Sequence, residues 1–295
     1  MTHIQIRKLI ENGTDYANRE WWYEFDQLPK LCPEENAAKR AQKLLQQFAL
    51  LTKNWNSDLN SEWTVRVFYA AKMVLAASVM AQSLRFATTK NLRSVSSYLQ
   101  YYTVMHSLRA IMFTNPNVDW NDGELLQATH SKTIYVACSE MAHFDRNLSE
   151  YVKKAVLHLK AFRELISYRA PSSGDKFPKP DFDVYDYSRC FLEIAQFQSE
   201  LLEASIEKNV TDSFELDQEF TQHVTDVEIE GIHFHDNEDW YRIGYLVRKH
   251  PRPTNILHIM SEGHVEDFFG SWCADDEEPN SFNPDEDWRI LFDLP

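Results

Sequence analysis

Residues 65–86 have the sequence VRVFYAAKMVLAASVMAQSLRF, in which Val65, Phe68 and other apolar residues recur at helical spacing. This periodicity predicts an α-helix buried in the core. Its most apolar part, residues 73–84, is twelve residues long and lies between a lysine and an arginine. A helix that crosses a bilayer needs about 20 apolar residues. The stretch therefore predicts a core helix, and we expect no membrane partner.

Five further helices are predicted around this one. Pro33 suits the first turn of a helix, and the two glutamates that follow it favour the positive helix end. The pair Asn115-Pro116 ends another helix, because the residue before a proline avoids the helical conformation. The six predicted helices cover residues 33–55, 60–86, 92–113, 122–142, 148–168 and 184–208. They indicate a mainly α protein, a helical bundle of about six helices.

The pattern changes after residue 210. Residues 224–235 and 240–247 partly alternate apolar and polar side chains, and with residues 255–260 they predict a small antiparallel β-sheet of three strands. An acidic C-terminal extension follows, with dense clusters at 275–278 and 285–287 that lack calcium-loop spacing and indicate solvated charge. Aromatic residues interrupt the extension, so we expect it to dock within the chain or on a partner. They are Trp272, Phe282, Trp288 and Phe292.

These patterns divide the chain into three parts. Residues 1–60 hold an N-terminal aromatic segment, with Trp21, Trp22, Tyr23 and Phe25, and the first helix. Residues 61–210 hold the helical bundle, and residues 211–295 form the acidic β-rich region.

The charge of the chain is divided unevenly among these parts. The net charge is −15, yet residues 211–295 alone carry 5 Lys and Arg against 21 Asp and Glu, net −16. Between Glu62 and Asp119 there is no acidic residue, while six Lys and Arg occur there. Such a segment favours anions locally. The alternative is a mostly buried helical pair with a few solvated cations.

Composition excludes several classes of protein. The chain of 295 residues has 7 glycines and contains neither GxGxxG nor GxxxxGK[ST], so the two commonest phosphate-binding loops are absent. Its 4 cysteines are far apart, which argues against a zinc ribbon or a disulfide framework. The N-terminal sequence MTHIQIRKLIENG lacks the apolar region of a signal peptide. We therefore expect a soluble cytoplasmic protein.

Four side chains that suit a phosphate share one side of the third helix. Tyr98, Tyr102, His106 and Arg109 recur at spacings that place them on one face. Phenol hydroxyls, an imidazole and a guanidinium together suit a nucleotide or phosphate. Two basic residues precede them, and the candidate ligand-binding set is Tyr98, Tyr102, His106, Arg109, Lys90 and Arg93. The alternative is a core helix whose Tyr and His tips form hydrogen bonds inside the molecule.

The same helix resembles a signature of the HEPN superfamily. Residues 97–111, SYLQYYTVMHSLRAI, match its small residue, its Tyr-Tyr pair and its apolar-His-x-x-Arg-Ala-apolar run. Three further stretches are also similar to the family: the helix around residues 70–86, the sequence LKAFRELISY at 159–168 and the helix 184–208. The resemblance covers residues 64–208 and leaves the C-terminal region unexplained. It implies a module, in a prokaryotic stress, toxin–antitoxin or antiviral system, that binds a nucleotide, RNA or a protein partner and dimerises through its helical faces.

The chain departs from the ribonucleases of that family. They share an Arg-x4–6-His motif, and here Arg163 matches the arginine while Tyr168 holds the position of the histidine. Arg252 and His258 are the only pair with that spacing, and they lie in the predicted sheet. Without the histidine, cleavage of RNA loses a candidate acid or base. The resemblance therefore points to a binding member rather than a nuclease, with no cofactor.

Two other groups of residues have weaker claims to chemistry. His233 and His235 share one face of a predicted strand near acidic residues, so they are candidate metal ligands, although a polar strand face explains them as well. Ser131 beside His130 offers a nucleophile and a base, but neighbours on a helix diverge and rarely meet.

Three functions remain open from the sequence. The first is the non-catalytic binding module. The second is an acidic inhibitor, or an autoinhibited module, whose residues 211–295 occupy a basic surface on a partner or on residues 63–118. The third is a divergent ribonuclease or a metal-dependent hydrolase.

Overall fold

A computed structural model describes residues 15–178, 180–260, 264–274 and 281–293. The predicted absence of a signal peptide at the N-terminus and the acidic cluster at 275–278 lie outside the described residues.

Six long helices form the body of the molecule, as the sequence predicts. After a short helix α1 (Gln27–Leu31) they are α2 (Glu34–Thr52), α3 (Ser57–Thr89), α4 (Arg93–Thr114), α5 (His130–Met141), α6 (Arg146–Arg169) and α7 (Val184–Asn209). Side chains cap the N-termini of four of them: Asn56, Thr129, Asp145 and Asp183 accept hydrogen bonds from first-turn backbone N–H groups. The α4 helix packs against α3, α5, α6 and α7 and lies at the centre of the bundle.

The α3 helix is long and apolar enough to cross a membrane by length and composition alone. Two thirds of its apolar window, 67%, is buried inside the molecule. Val65, Val67, Ala70 and Val74 have no exposed surface. The helix is apolar because it is surrounded by protein on nearly every side, as core helices are.

The predicted helix over residues 122–142 is in fact two elements. A 3₁₀ turn, Glu124–Gln127, precedes α5, which begins at His130. Gly123 adopts a left-handed φ of 80°, and the Thr129 side chain accepts a hydrogen bond from the Lys132 N–H and so caps α5. The cap moves the start of the helix eight residues beyond its predicted position.

The predicted small antiparallel sheet is present, but over residues 224–260 it has two strands rather than the predicted three. Residues 224–235 hold the end of helix α8 (Gln218–Thr225) and a β-hairpin, β3 (Asp226–Ile229) with β4 (Ile232–His235), because Glu230 and Gly231 both take positive φ and make a tight turn. Residues 240–247 belong to helix α9 (Asn237–Lys249), and residues 255–260 hold the short helix α10 (Ile256–Ile259). Asp236 caps α9, and Glu238 and Asp239 lie in its first turn, so residues 236–239 begin a helix. The remaining elements are an N-terminal hairpin, β1 (Asp15–Tyr16) with β2 (Arg19–Glu20), helix α11 (Val265–Gly270) and a 3₁₀ turn (Pro284–Asp287).

One hydrophobic core runs from Tyr16 to Phe292 and crosses both predicted domain boundaries. The indole of Trp21 stacks on Phe197 of α7 with ring centroids 4.4 Å apart, and the rings of Tyr23 and Phe292 are 4.6 Å apart. Trp21, Tyr23 and Phe292 therefore dock inside the chain, whereas Trp272 is 54% exposed.

Three carboxylates on α7 hold these docked segments; those of Glu193 and Glu200 are buried, and that of Glu203 is 12% exposed. Glu193 accepts hydrogen bonds from the backbone N–H groups at the start of α1, Glu200 accepts from those of Trp22 and Tyr23, and Glu203 lies 2.8 Å from the imidazole of His258 in α10. Burial raises the pKa of Glu193 and of Glu200 to about 7. The N–H donors lower it, but their effect is smaller than that of burial.

Candidate functional site

The predicted face of α4 packs against α6 and against the loop before α5. The Tyr98 hydroxyl lies 2.6 Å from the Ser167 hydroxyl, and Arg163 donates a hydrogen bond of 3.0 Å to the Tyr102 hydroxyl. Both partners come from α6. The prediction that these tyrosines share one side of α4 is correct, and their hydroxyls form hydrogen bonds inside the molecule.

Tyr101 and His130 also belong to this site. The Tyr101 hydroxyl lies 2.9 Å from Nδ1 of His130, and the guanidinium of Arg163 lies over the Tyr101 ring at 4.9 Å. The Thr129 cap places His130 at the first position of α5, where its ring reaches within 6.0 Å of the Tyr102 ring. One phenol thus connects an imidazole on α5 with a guanidinium on α6.

His106 lies one turn beyond Tyr102, with ring centroids 6.2 Å apart. Burial, Arg109 and His130 together lower the pKa of His106 to about 4. Burial and neighbouring cations, Arg163 first among them, also lower the pKa of His130. The imidazole of His106 is therefore neutral at pH 7 and has one nitrogen to donate and one to accept.

Arg109 holds the loop that leads into α5. Its guanidinium donates to the carbonyls of Leu126 and Ala128 at 3.0 and 3.3 Å. The residue is therefore structural as well as a candidate ligand-binding group. We call the set Tyr101, Tyr102, His106, Arg109, His130 and Arg163 the α4–α5–α6 cluster.

Three buried nitrogens of the α4–α5–α6 cluster have no hydrogen-bond partner among the described residues. They are Nδ1 of His106 and the Nε atoms of Arg109 and Arg163. Two of them are guanidinium donors, which call for an acceptor. Buried groups of this kind are rare in proteins, and a bound ion or ligand is one established explanation.

Lys90 and Arg93 are not part of the α4–α5–α6 cluster. Arg93 forms an ion pair with Asp175, and Lys90 lies over the Phe86 ring at 5.4 Å. At about 1.5 Å per residue, Arg93 and His106 are about 20 Å apart along α4. The structure places these two cations at the opposite end of the predicted face.

The cations of the acid-free segment mostly contact other parts of the chain. Carboxylates from later segments pair with three of them: Lys72 with Asp239, Arg85 with Asp287, and Arg93 with Asp175. Arg66 and Arg109 donate to backbone carbonyls. The anions favoured by this segment are thus largely the chain's own, and two come from the acidic C-terminal region.

The ribonuclease motif is not restored by packing along α6. Tyr168 is 79% exposed, whereas His130 contacts Tyr101 and Tyr102 from α5. Of the pair with the right spacing, Arg252 donates to the Val210 carbonyl and His258 is buried against Glu203. These two residues lie beside and within α10, not in a sheet.

His233 and His235 share one face of the hairpin, as predicted. Each lies near a carboxylate of the opposite strand, His233 at 3.6 Å from Glu228 and His235 at 2.7 Å from Asp226. Over the described ranges, no group of three or more His, Cys, Asp or Glu side chains is arranged to hold a metal ion.

Sequence reasoning left Tyr101, His130 and Arg163 out of the site. Arg163 was identified only through the family resemblance, and Thr129 as an N-cap is the signal that sets His130 at a helix start. Comparison of the chain with protein-family models, with curated proteins and with solved structures finds no match. The likeness to the HEPN superfamily therefore stays a prediction drawn from the residues.

Proposed function

We propose that the chain is a non-catalytic, HEPN-like binding module whose α4–α5–α6 cluster takes a phosphate-bearing ligand, a nucleotide or RNA. The observation that carries the proposal is the set of buried, unpartnered nitrogens on His106, Arg109 and Arg163. A phosphate oxygen supplies the acceptor that the Nε atoms of Arg109 and Arg163 lack.

Charge and aromatic rings support the same ligand. Arg109 and Arg163 bring two positive charges, and in the part of the chain that the structure describes only one carboxylate lies within 4 Å of them, that of Glu164, whose side chain is 41% exposed. Two partly buried rings, those of Tyr102 and His130, lie 6.0 Å apart on the side of the cluster next to Arg163, whereas Tyr101 is fully buried. Such rings offer stacking surfaces for a base.

Binding of ATP and of a labelled 12-nucleotide single-stranded RNA to the full chain tests the proposal. We expect Arg163→Gln to weaken binding at least tenfold, because a charge-assisted contact to phosphate is lost. Arg146→Gln, on the exposed first turn of the same helix, is the matched control and should bind as the wild type does. Equal affinity of Arg163→Gln and wild type, with both folded by circular dichroism, would contradict the proposal.

Incubation with the same RNA separates binding from catalysis. The non-catalytic module leaves the RNA intact at saturating protein. Cleavage that disappears in both Arg163→Gln and His130→Gln would assign the cluster to a ribonuclease instead.

A further inference from the structure

The β3–β4 hairpin presents an uncovered apolar face. Its register pairs Val227 with Phe234 and Ile229 with Ile232, so these four side chains share one face. The exposed fraction of the residue is 37% for Val227, 60% for Phe234, 66% for Ile229 and 73% for Ile232. All eight residues of the two strands are exposed. The hairpin therefore projects from the body with its apolar face in solvent.

A two-stranded ribbon of this kind lacks what normally stabilises a sheet. Isolated hairpins are marginally stable in water, and a third strand or packing against a helix is the usual remedy. Among the described residues, β3 pairs only with β4, so both outer edges have unpaired backbone groups. Natural proteins rarely leave such an edge next to apolar side chains unless a partner pairs with it.

The charge around the hairpin restricts what can cover it. Residues 226–239 contain six Asp and Glu and no Lys or Arg. Asp226 and Glu228 lie on the polar face of the hairpin, beside the two histidines. A second copy of the hairpin would bring the same acidic groups together, and a nucleic acid would be repelled. A basic polypeptide is complementary.

We propose that the β3–β4 hairpin binds an extended segment of a partner protein in which apolar and basic side chains alternate, and that this segment adds as a third strand. Side chains of an added strand alternate between the two faces of the sheet. Added beside β3, it would place its apolar residues next to Val227 and Ile229, on the face that these share with Ile232 and Phe234. Its lysines and arginines would meet Asp226 and Glu228. This surface is separate from the α4–α5–α6 cluster, and the inference does not rest on the function proposed for it.

Fluorescence anisotropy with the full chain and a labelled nine-residue peptide that alternates valine and lysine tests this inference. We expect saturable binding that weakens at least tenfold when the lysines are replaced by glutamates. Binding should also weaken when the same residues are reordered so that they no longer alternate. Failure of the valine–lysine peptide to bind, or equal binding of all three peptides, would overturn the inference.

Variants of the apolar face locate the binding surface. Ile229→Lys and Ile232→Lys should each abolish peptide binding, while Leu50→Lys, at an exposed position of α2, should leave it unchanged. Ile232→Thr keeps a β-branched side chain and separates loss of the apolar contact from loss of the strand. Unchanged affinity in Ile229→Lys and Ile232→Lys would overturn the inference. A homodimer at micromolar concentration that Ile232→Lys dissociates would do so as well, since a second copy would then cover the face.

Discussion

His106 has an imidazole whose protonation is opposed by its surroundings. Burial and the charges of Arg109 and His130 lower its pKa to about 4, from 6.5 in an unfolded chain. Between these values the unfolded chain binds more protons than the folded one. The stability that the neutral imidazole contributes is therefore fully present above pH 6.5 and is lost as the pH falls towards 4.

We predict that His106→Gln changes how the stability of the protein depends on pH. The unfolding free energy of the wild type should fall relative to that of the variant by about 2 kcal/mol between pH 7.5 and pH 5. Urea unfolding at the two pH values measures this difference. Glu193 and Glu200, whose raised pKa values give the opposite pH dependence, are present in both proteins, so their contributions cancel when the variant is subtracted from the wild type. The exposed His158→Gln is the control for loss of a histidine. A wild-type-to-variant difference that is the same at both pH values would show that His106 is not held neutral by the fold.

At the scale of elements, the loop between α4 and α5 depends on one glycine. Gly123 has a φ of 80°, and a Cβ at this position would lie 2.6 Å from Nδ1 of His223 on α8. We predict that Gly123→Ala destabilises the protein by about 2–4 kcal/mol, because a left-handed backbone and a steric clash add together.

Two further variants separate those causes. Gly231→Ala in the hairpin turn has φ of 78° and nothing within 4 Å of its Cβ, so it should cost only the backbone strain, about 1 kcal/mol. Combining Gly123→Ala with His223→Ala should recover the part of the lost stability that is due to the clash. Thermal unfolding of the wild type, the two single glycine variants and this double variant measures these differences. A cost for Gly123→Ala no larger than that for Gly231→Ala would rule the clash out.

Helical periodicity predicted the six long helices because it is a local signal that tertiary packing reinforces. It failed at residues 240–247, where the partial alternation also fits a helix with Trp240, Ile243 and Val247 on one side. The N-cap at Asp236 decides in favour of the helix. The residues of the site differ in the same respect. Tyr102 and His106 lie on one helix, so their proximity follows from helical spacing and could be predicted. His130 and Arg163 reach them from other helices, and their proximity depends on packing that no local pattern contains.

At the scale of the molecule, the acidic C-terminal region is held mainly by apolar contacts. Ile243, Leu246, Ile256, Leu257, Phe269 and Phe292 belong to the same core as the helical bundle. The Arg85–Asp287 pair is half exposed, and such ion pairs contribute about 0–1 kcal/mol. The Lys72–Asp239 pair is less accessible, with Asp239 3% exposed. Apolar burial therefore outweighs charge in the attachment of this region.

We predict that residues 1–210 do not form a stable domain without residues 211–295. Their removal exposes the apolar surface of α3 and α7 and takes Thr254, Asn255 and His258 away from the carboxylate of Glu203. The shortened chain should lose its cooperative thermal transition, and co-expression with a second chain of residues 211–295 should restore it. Apolar contacts do not weaken with ionic strength, so the affinity of the two chains for each other should change less than about tenfold between 0.1 and 1 M salt. An attachment held by charge would weaken steeply over the same range. Cooperative unfolding of residues 1–210 alone, at the temperature of the full chain, would show instead that the predicted boundary at 210 separates two independent domains.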